Sequence, residues 1–296
     1  MYCVWSMDID LQKLIVEFDH HFAVGDSETQ APENLPSKKS LEKELAKTVT
    51  QISELQRKLY ADDRYAVLLV FQAMDAAGKD GTIRAVMSGV NPAGCNVSSF
   101  KSPSSEELEH DWLWRTSNRL PERGKIAVFN RSYYEEVLAV RVHPEYLRNQ
   151  RLPEYNLETI WQQRFESIRE HEKHLSRNGT VILKFWLNVS KDEQKKRFLK
   201  RLTTPEKHWK FSKSDLSTRG HWNDYMDAYE SLLNETSTEN APWYAVPADN
   251  KRYMRLCVAR TVLQALEGLP LRYPEKSAEE IALFEEHVER LNSETD

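Results

Sequence analysis

Residues Ala66–Arg84, AVLLVFQAMDAAGKDGTIR, are the stretch on which the fold reading turns. Val67 to Phe71 form a continuous apolar, β-branched run of the kind that makes a strand covered on both faces. The run enters a turn in which Gly78 and Gly81 relax the backbone. Successive N–H groups across Ala76, Ala77, Gly78, Asp80 and Gly81 can then face one anion, and Lys79 adds a mobile positive charge. A helix beginning near Lys79 brings its positive dipole end to the same place. The stretch therefore reads as a phosphate-binding loop. It departs twice from the usual G-x-x-x-x-G-K-[ST] spacing: Ala73 stands at the first glycine, and Asp80 replaces the Ser/Thr that holds magnesium. Asp75, an added carboxylate inside the turn, is the candidate replacement metal ligand. The plainer alternative is a strand-turn-helix corner whose glycines serve only the turn.

Outward from this stretch, strands and helices alternate. On the amino side, Met1 to about Phe22 is weakly helical and a polar arm follows. Ser40–Tyr60 is then a clear helix with Leu41, Leu45, Val49, Ile52, Leu55 and Leu59 on one face, packing on a sheet or on a second subunit. On the carboxyl side, strands are expected at Cys95–Phe100, Lys125–Asn130, Thr180–Leu187 and Trp243–Val246. Helices are expected over Glu106–Leu120, Leu157–Arg177 and Asn250–Leu266, with a polar helical tail from Ser277. This order predicts a three-layer α/β/α fold with a mostly parallel sheet of about five strands. The expected division is an N-terminal arm and helix over 1–60, a core over 61–270 that includes a lid at about 195–220, and a tail over 271–296. Ligands of such sheets collect at the carboxyl ends of strands, where Asp75, Lys101, Asn130, Arg131 and Asn188 can converge.

With 296 residues, 40% of them hydrophobic, the chain can bury one large core. No stretch approaches eighteen uninterrupted apolar residues, which argues against a membrane span, and Asp8 and Asp10 behind Trp5 do not read as a signal peptide. Three well-separated cysteines, Cys3, Cys95 and Cys257, suggest reduced thiols of a cytoplasmic protein. The net charge of −5 argues against nonspecific nucleic-acid binding. Between Lys195 and Lys213, however, eight lysines and arginines face the single acid Glu206, with Trp209 and Phe211 interleaved. That pattern predicts either one localised polyanion site or a solvated helix face.

Two motifs, QAMDAAGKDGTIR and FNRSYYEEVLAVRVH (Phe129–His143), resemble the polyphosphate kinase 2 family. SFKSPSSEELEHDWLWR (Ser99–Arg115), the basic segment and APWYAVPADNKRY (Ala241–Tyr253) match it in order and spacing, so the resemblance spans roughly Ala66–Leu266. It implies a P-loop kinase-like fold with a helical lid, Mg²⁺ as cofactor, inorganic polyphosphate and AMP, ADP or ATP as substrates, and a homo-oligomer. Asn130, where many relatives have Asp, is similar to the branch that accepts both nucleoside mono- and diphosphates. Lys79 is expected to bridge the transferred phosphate, Asp75 to hold the metal and Arg131 to sit opposite. Asn130 either orients a phosphate or metal-bound water or caps the Ser132 turn, and Arg131 has the alternative of an ion pair with Glu135 or Glu136. From the lid, Arg197, Arg201, Lys207 and Lys210 are expected over the transferring group. Lys101, Glu107, Asp111 and Arg115 resemble the nucleotide-facing wall, or a solvated face. His110, His143 and His208 read as structural or surface residues. Two rivals remain open: a conventional ATP-dependent nucleoside-monophosphate kinase, disfavoured by Asp80, and a binding module without turnover.

Overall fold

The computed structural model describes residues 9–294; Cys3 and the first eight residues of the expected helical stretch lie outside them, and the rest of that stretch is a single 3-10 turn at Leu11–Leu14 followed by a strand, not a helix. The strands are β1 (Ile15–Val16), β2 (Ala66–Gln72), β3 (Cys95–Ser99), β4 (Ile126–Asn130), β5 (Thr180–Asn188) and β6 (Trp243–Pro247). The helices are α1 (Lys38–Asp62), α2 (Lys79–Val86), α3 (Ser105–Leu108), α4 (Trp114–Ser117), α5 (Ala139–Val142) and α6 (Ile160–Arg177). They continue with α7 (Lys191–Leu202), α8 (Lys213–Gly220), α9 (Trp222–Thr236), α10 (Lys251–Glu267) and α11 (Ala278–Ser293).

The sheet has six strands in the order β1-β6-β5-β2-β4-β3. Every residue of β2 is buried, as its unbroken apolar run requires of a strand with neighbours on both edges and helices on both faces. In register, Val67 sits between Ile126 and Val181, and Phe71 between Asn130 and Phe185. All pairings are parallel except that of β1 with β6. This antiparallel sixth strand is the departure from the expected five. It arises because Ile15 and Val16 from the N-terminal arm pair with Tyr244 and Trp243. The connection leaving β2 runs toward β3, whereas that leaving its neighbour β5 runs toward β6. A crevice therefore opens beyond the carboxyl ends of β2 and β5.

Helix α1 keeps its apolar stripe inside the chain, burying Leu41, Val49, Ile52 and Leu59 and packing along α10. Glu42 and Glu44 pair with Arg252 and Arg260 at the same contact. The helix expected over Glu106–Leu120 is instead two single turns, α3 and α4. Asp111 accepts the N–H of Leu113 and restarts the chain between them. Among the described residues no helix is long and apolar enough to cross a membrane.

Candidate active site

The strand, glycine turn and helix expected of the loop are present between β2 and α2. Ala76 and Gly78 hold left-handed backbone, with φ of 63° and 116°. At Ala76 that conformation costs about 1–3 kcal/mol and persists only where the surroundings enforce it. At Gly78 a Cβ would come within 3.2 Å of Met254 Cε, so glycine is required there twice over. Lys79 folds back to donate to the Ala73 carbonyl at 2.6 Å. Burial, with the Arg131 guanidinium adding to it, lowers its ammonium to about 8.

The enforcement comes from α7. Gln194, fully buried, donates to the Asp75 carbonyl at 2.9 Å. Arg197 Nη1 donates to the carbonyls of Ala76 and Ala77, Nη2 to those of Ala248 and Asp249, and Nε to the Glu193 carboxylate. Arg197 is thus a strut beneath the loop with all its nitrogens engaged. This differs from the expected lid arginine reaching over the transferring group, because the sequence does not reveal that four backbone carbonyls converge on that point.

The end of β4 supplies the facing wall. Arg131, also left-handed at φ 63°, donates its backbone N–H to Phe71 O and so is pinned to the central strand. Its guanidinium donates to Asp75 Oδ1 at 2.7 Å and lies 3.6 Å from Glu135; those two carboxylates, Glu135 foremost, hold it firmly charged. The expected alternative pairing thus exists in part, through Glu135. Asn130 does not cap the Ser132 turn: its amide donates to Asp80 Oδ1 at 2.7 Å. The carboxylate at the usual hydroxyl position of the loop is therefore oriented by the amide on the next strand.

These groups line one cleft of about 790 Å³. The sequence-predicted residues it brings together are Asp75, Ala76, Gly78, Lys79, Asp80, Gly81, Lys101, Asn130, Arg131, Arg197, Arg201, Lys207 and Lys210. Three are left out. Ala77 turns its side chain into the core, and its N–H donates to Met74 O within the turn. Arg115 donates to the Lys101 carbonyl, lies near Glu107 and stacks over Phe100, lining an adjoining depression instead. Asn188 is taken up by Ser27 and Glu28, anchoring the N-terminal arm. None of His110, His143 and His208 lines the cleft.

Three charged lining residues escaped the sequence reading, Asp215, Lys251 and Arg255, and Lys200 was read only as a member of the basic run. Lys251 and Arg255 stand one turn apart at the start of α10, just beyond β6, and that position was their available signal. Burial, and after it the nearby Arg197, lowers the Lys251 ammonium. Asp215, whose carboxyl is raised by burial and then by Asp75, receives Arg201 at 3.3 Å. Counted together, ten lysines and arginines face three aspartates across the cleft.

A profile described as polyphosphate kinase 2 matches residues 36–272. The chain belongs to the polyphosphate kinase 2 family. Among its relatives, an ADP-polyphosphate phosphotransferase of Rhodopseudomonas palustris is 59% identical over 78% of this chain and 81% of its own. An AMP/ADP-polyphosphate phosphotransferase of Meiothermus ruber is 46% identical over 79% and 84%. The crystal structure of polyphosphate kinase 2 from Arthrobacter aurescens TC1 superimposes with a TM-score of 0.83 at 40% identity, covering 93% of this chain and 96% of that one. The family's P-loop kinase-like fold is the one described above.

Proposed function

We propose that this chain moves phosphoryl groups reversibly between inorganic polyphosphate and nucleotides with Mg²⁺, taking AMP and ADP as acceptors to form ADP and ATP. The observation that carries this reading is the charge of the cleft, ten cations against three aspartates, spread over the loop, the lid and α10. A nucleoside triphosphate presents three phosphates, whereas a chain polyanion presents many, and a wide cationic lining suits the second. The names borne by the relatives from Rhodopseudomonas palustris and Meiothermus ruber support the same substrates.

Phosphoryl transfer depends on positioning and charge neutralisation more than on covalent participation. Lys79 exchanges the Ala73 carbonyl for a phosphate oxygen of the transferring group. Arg131 meets that group from the β4 side, and loop N–H groups meet it from below. Arg201, Lys207 and Lys210 close from the lid, and their closure excludes water that would hydrolyse the donor. Arg197 and Gln194 keep the loop carbonyls turned away from the anion, leaving the N–H groups to face it.

The donor set suits Mg²⁺, which takes one or two carboxylates and completes its shell with water and phosphate oxygens. Asp75 and Asp80 supply hard oxygens, and among the described residues no cluster of three metal-ligating side chains converges in the cleft. Asp75 would hold the ion, with Asp80 and the Asn130 amide beside it. Bound there, the ion neutralises charge on the reacting phosphates. We place the chain in the cytoplasm, where Cys95 and Cys257 remain free thiols.

The test is incubation of the purified chain with long-chain polyphosphate, Mg²⁺ and a panel of nucleoside mono- and diphosphates, with products separated by ion-exchange chromatography. ADP and then ATP are expected from AMP. Product only with ATP as donor overturns the donor assignment, and reaction of ADP with AMP inert overturns the acceptor range.

A further inference from the structure

Two surfaces of this chain hold large apolar side chains in solvent, one on a predominantly acidic helix and one beside a predominantly basic face. On α11, Ile281, Phe284, Val288 and Leu291 are 49–65% exposed, and no side chain of the helix is buried. Their spacing of three and four residues puts them on one face. Five glutamates against Arg290 make this helix acidic, and a capping box between Ser277 and Glu280 defines its start. The second surface is the outer side of α7. There Lys191, Lys195, Lys196, Leu199 and Leu202 are exposed around one exposed acid, Asp192, which leaves the face net basic, while Gln194, Arg197 and Phe198 face inward.

We propose that α11 of one copy docks on the outer face of α7 in a second copy, its apolar stripe over Leu199 and Leu202 and its glutamates beside Lys195 and Lys196. Charge selects this occupant. Two acidic helices packed together would set like charges side by side, a destabilising arrangement, whereas the basic α7 face turns the same glutamates into attractive partners. Position selects a second copy. The backbone N–H of Arg272 donates to Asp62 at 2.9 Å and Arg64 donates to the Pro270 carbonyl at 3.0 Å, so the tail departs near the amino end of β2. Helix α7 instead follows the carboxyl end of β5, across the sheet. A two-fold pair with opposed sheets brings each tail to the other's α7, closing both contacts at once. Helix α11 lies outside the residues 36–272 matched by the family profile, so the contact belongs to this chain's tail. Because the inner face of α7 grips the phosphate loop, a tail seated on its outer face ties assembly to the lid.

Sedimentation velocity at low salt, where surface charge is least screened, tests this with two charge-reversed chains, E280K/E285K in the tail and K195E/K196E on α7. The full chain is expected to associate. Each reversed chain alone should associate at least about tenfold more weakly, as should Phe284→Ser. An equimolar mixture of the two reversed chains should associate again, since both contacts of the mixed pair are complementary. The proposal is overturned if the full chain is monomeric throughout, if K195E/K196E leaves association unchanged, or if mixing fails to restore it.

Discussion

Lys79 shows how one residue of the loop couples chemistry to protons. Burial and then Arg131 bring its ammonium down to about 8. A phosphate oxygen beside it favours the charged form, so the pKa rises on binding. Above about pH 8 the free protein has lost this proton and binding must take it up. Affinity for a polyanion should therefore fall as pH rises through about 8, and be insensitive to this group well below it. Calorimetry with tripolyphosphate in two buffers of different ionisation enthalpy measures the uptake directly. Net uptake that does not increase across this range, or that survives in Lys79→Met, refutes the assignment. The convergence of Lys79, Asp75 and Arg131 on one cleft was legible, because glycine spacing and strand-end position mark where such side chains gather. Ala77 and Arg115 were misread for one reason: neither the spent N–H of Ala77 nor the carbonyl that captures Arg115 leaves a mark in the sequence.

At the scale of elements, β2, β4 and β6 were readable as unbroken apolar runs and β5 as one broken only by Lys184, while β1 was not. Two residues carry no periodicity, and Ile15–Val16 are a strand only because β6 offers an edge. Helix α9 carries a regular apolar face, burying Tyr225, Tyr229, Leu232 and Leu233, yet it went unread behind the basic segment that precedes it. That segment is two things at once. The inner face of α7 supports the loop through Arg197, and the later residues Lys207 and Lys210 line the cleft. Their variants should separate. Arg197→Lys cannot reach four carbonyls, and a buried acceptor left unmade costs about 1–3 kcal/mol. It should lower both the thermal midpoint and kcat, at every polyphosphate length. Lys207→Gln with Lys210→Gln should leave the midpoint alone and raise KM for long chains more than for short ones, with a shallower salt dependence than the parent. Steady-state kinetics across chain length and ionic strength, beside thermal melts, distinguish the two. An Arg197→Lys protein of unchanged midpoint would show that the strut is not structural.

Across the whole molecule, the layers behind the cleft are joined by a buried polar knot. Lys184 of β5, fully buried, donates to Glu172 of α6 at 2.6 Å, to the Tyr134 hydroxyl at 2.9 Å and to the Thr236 carbonyl of α9 at 2.7 Å. Glu172 also accepts from the hydroxyls of Tyr133 and Tyr134. One charge pair thereby ties the sheet to two helices and to the segment after β4 that begins with Arg131. The sequence offered no sign of it, since a lysine inside TVILKFWL looks like an outward-facing interruption of a strand. Removing one partner leaves a buried charge uncompensated, so Lys184→Met should cost about 3–5 kcal/mol. Glu172→Gln alone should also destabilise, because the ammonium loses its counter-charge while burial already depresses it. Combined, Lys184→Met and Glu172→Gln remove both charges, and the glutamine oxygen still accepts from the tyrosines. The double variant should therefore be more stable than the sum of the single losses predicts, with a coupling at the upper end of about 0.5–3 kcal/mol. Urea unfolding of the four proteins closes this cycle, and additive losses would mean that Lys184 and Glu172 do not act as a pair.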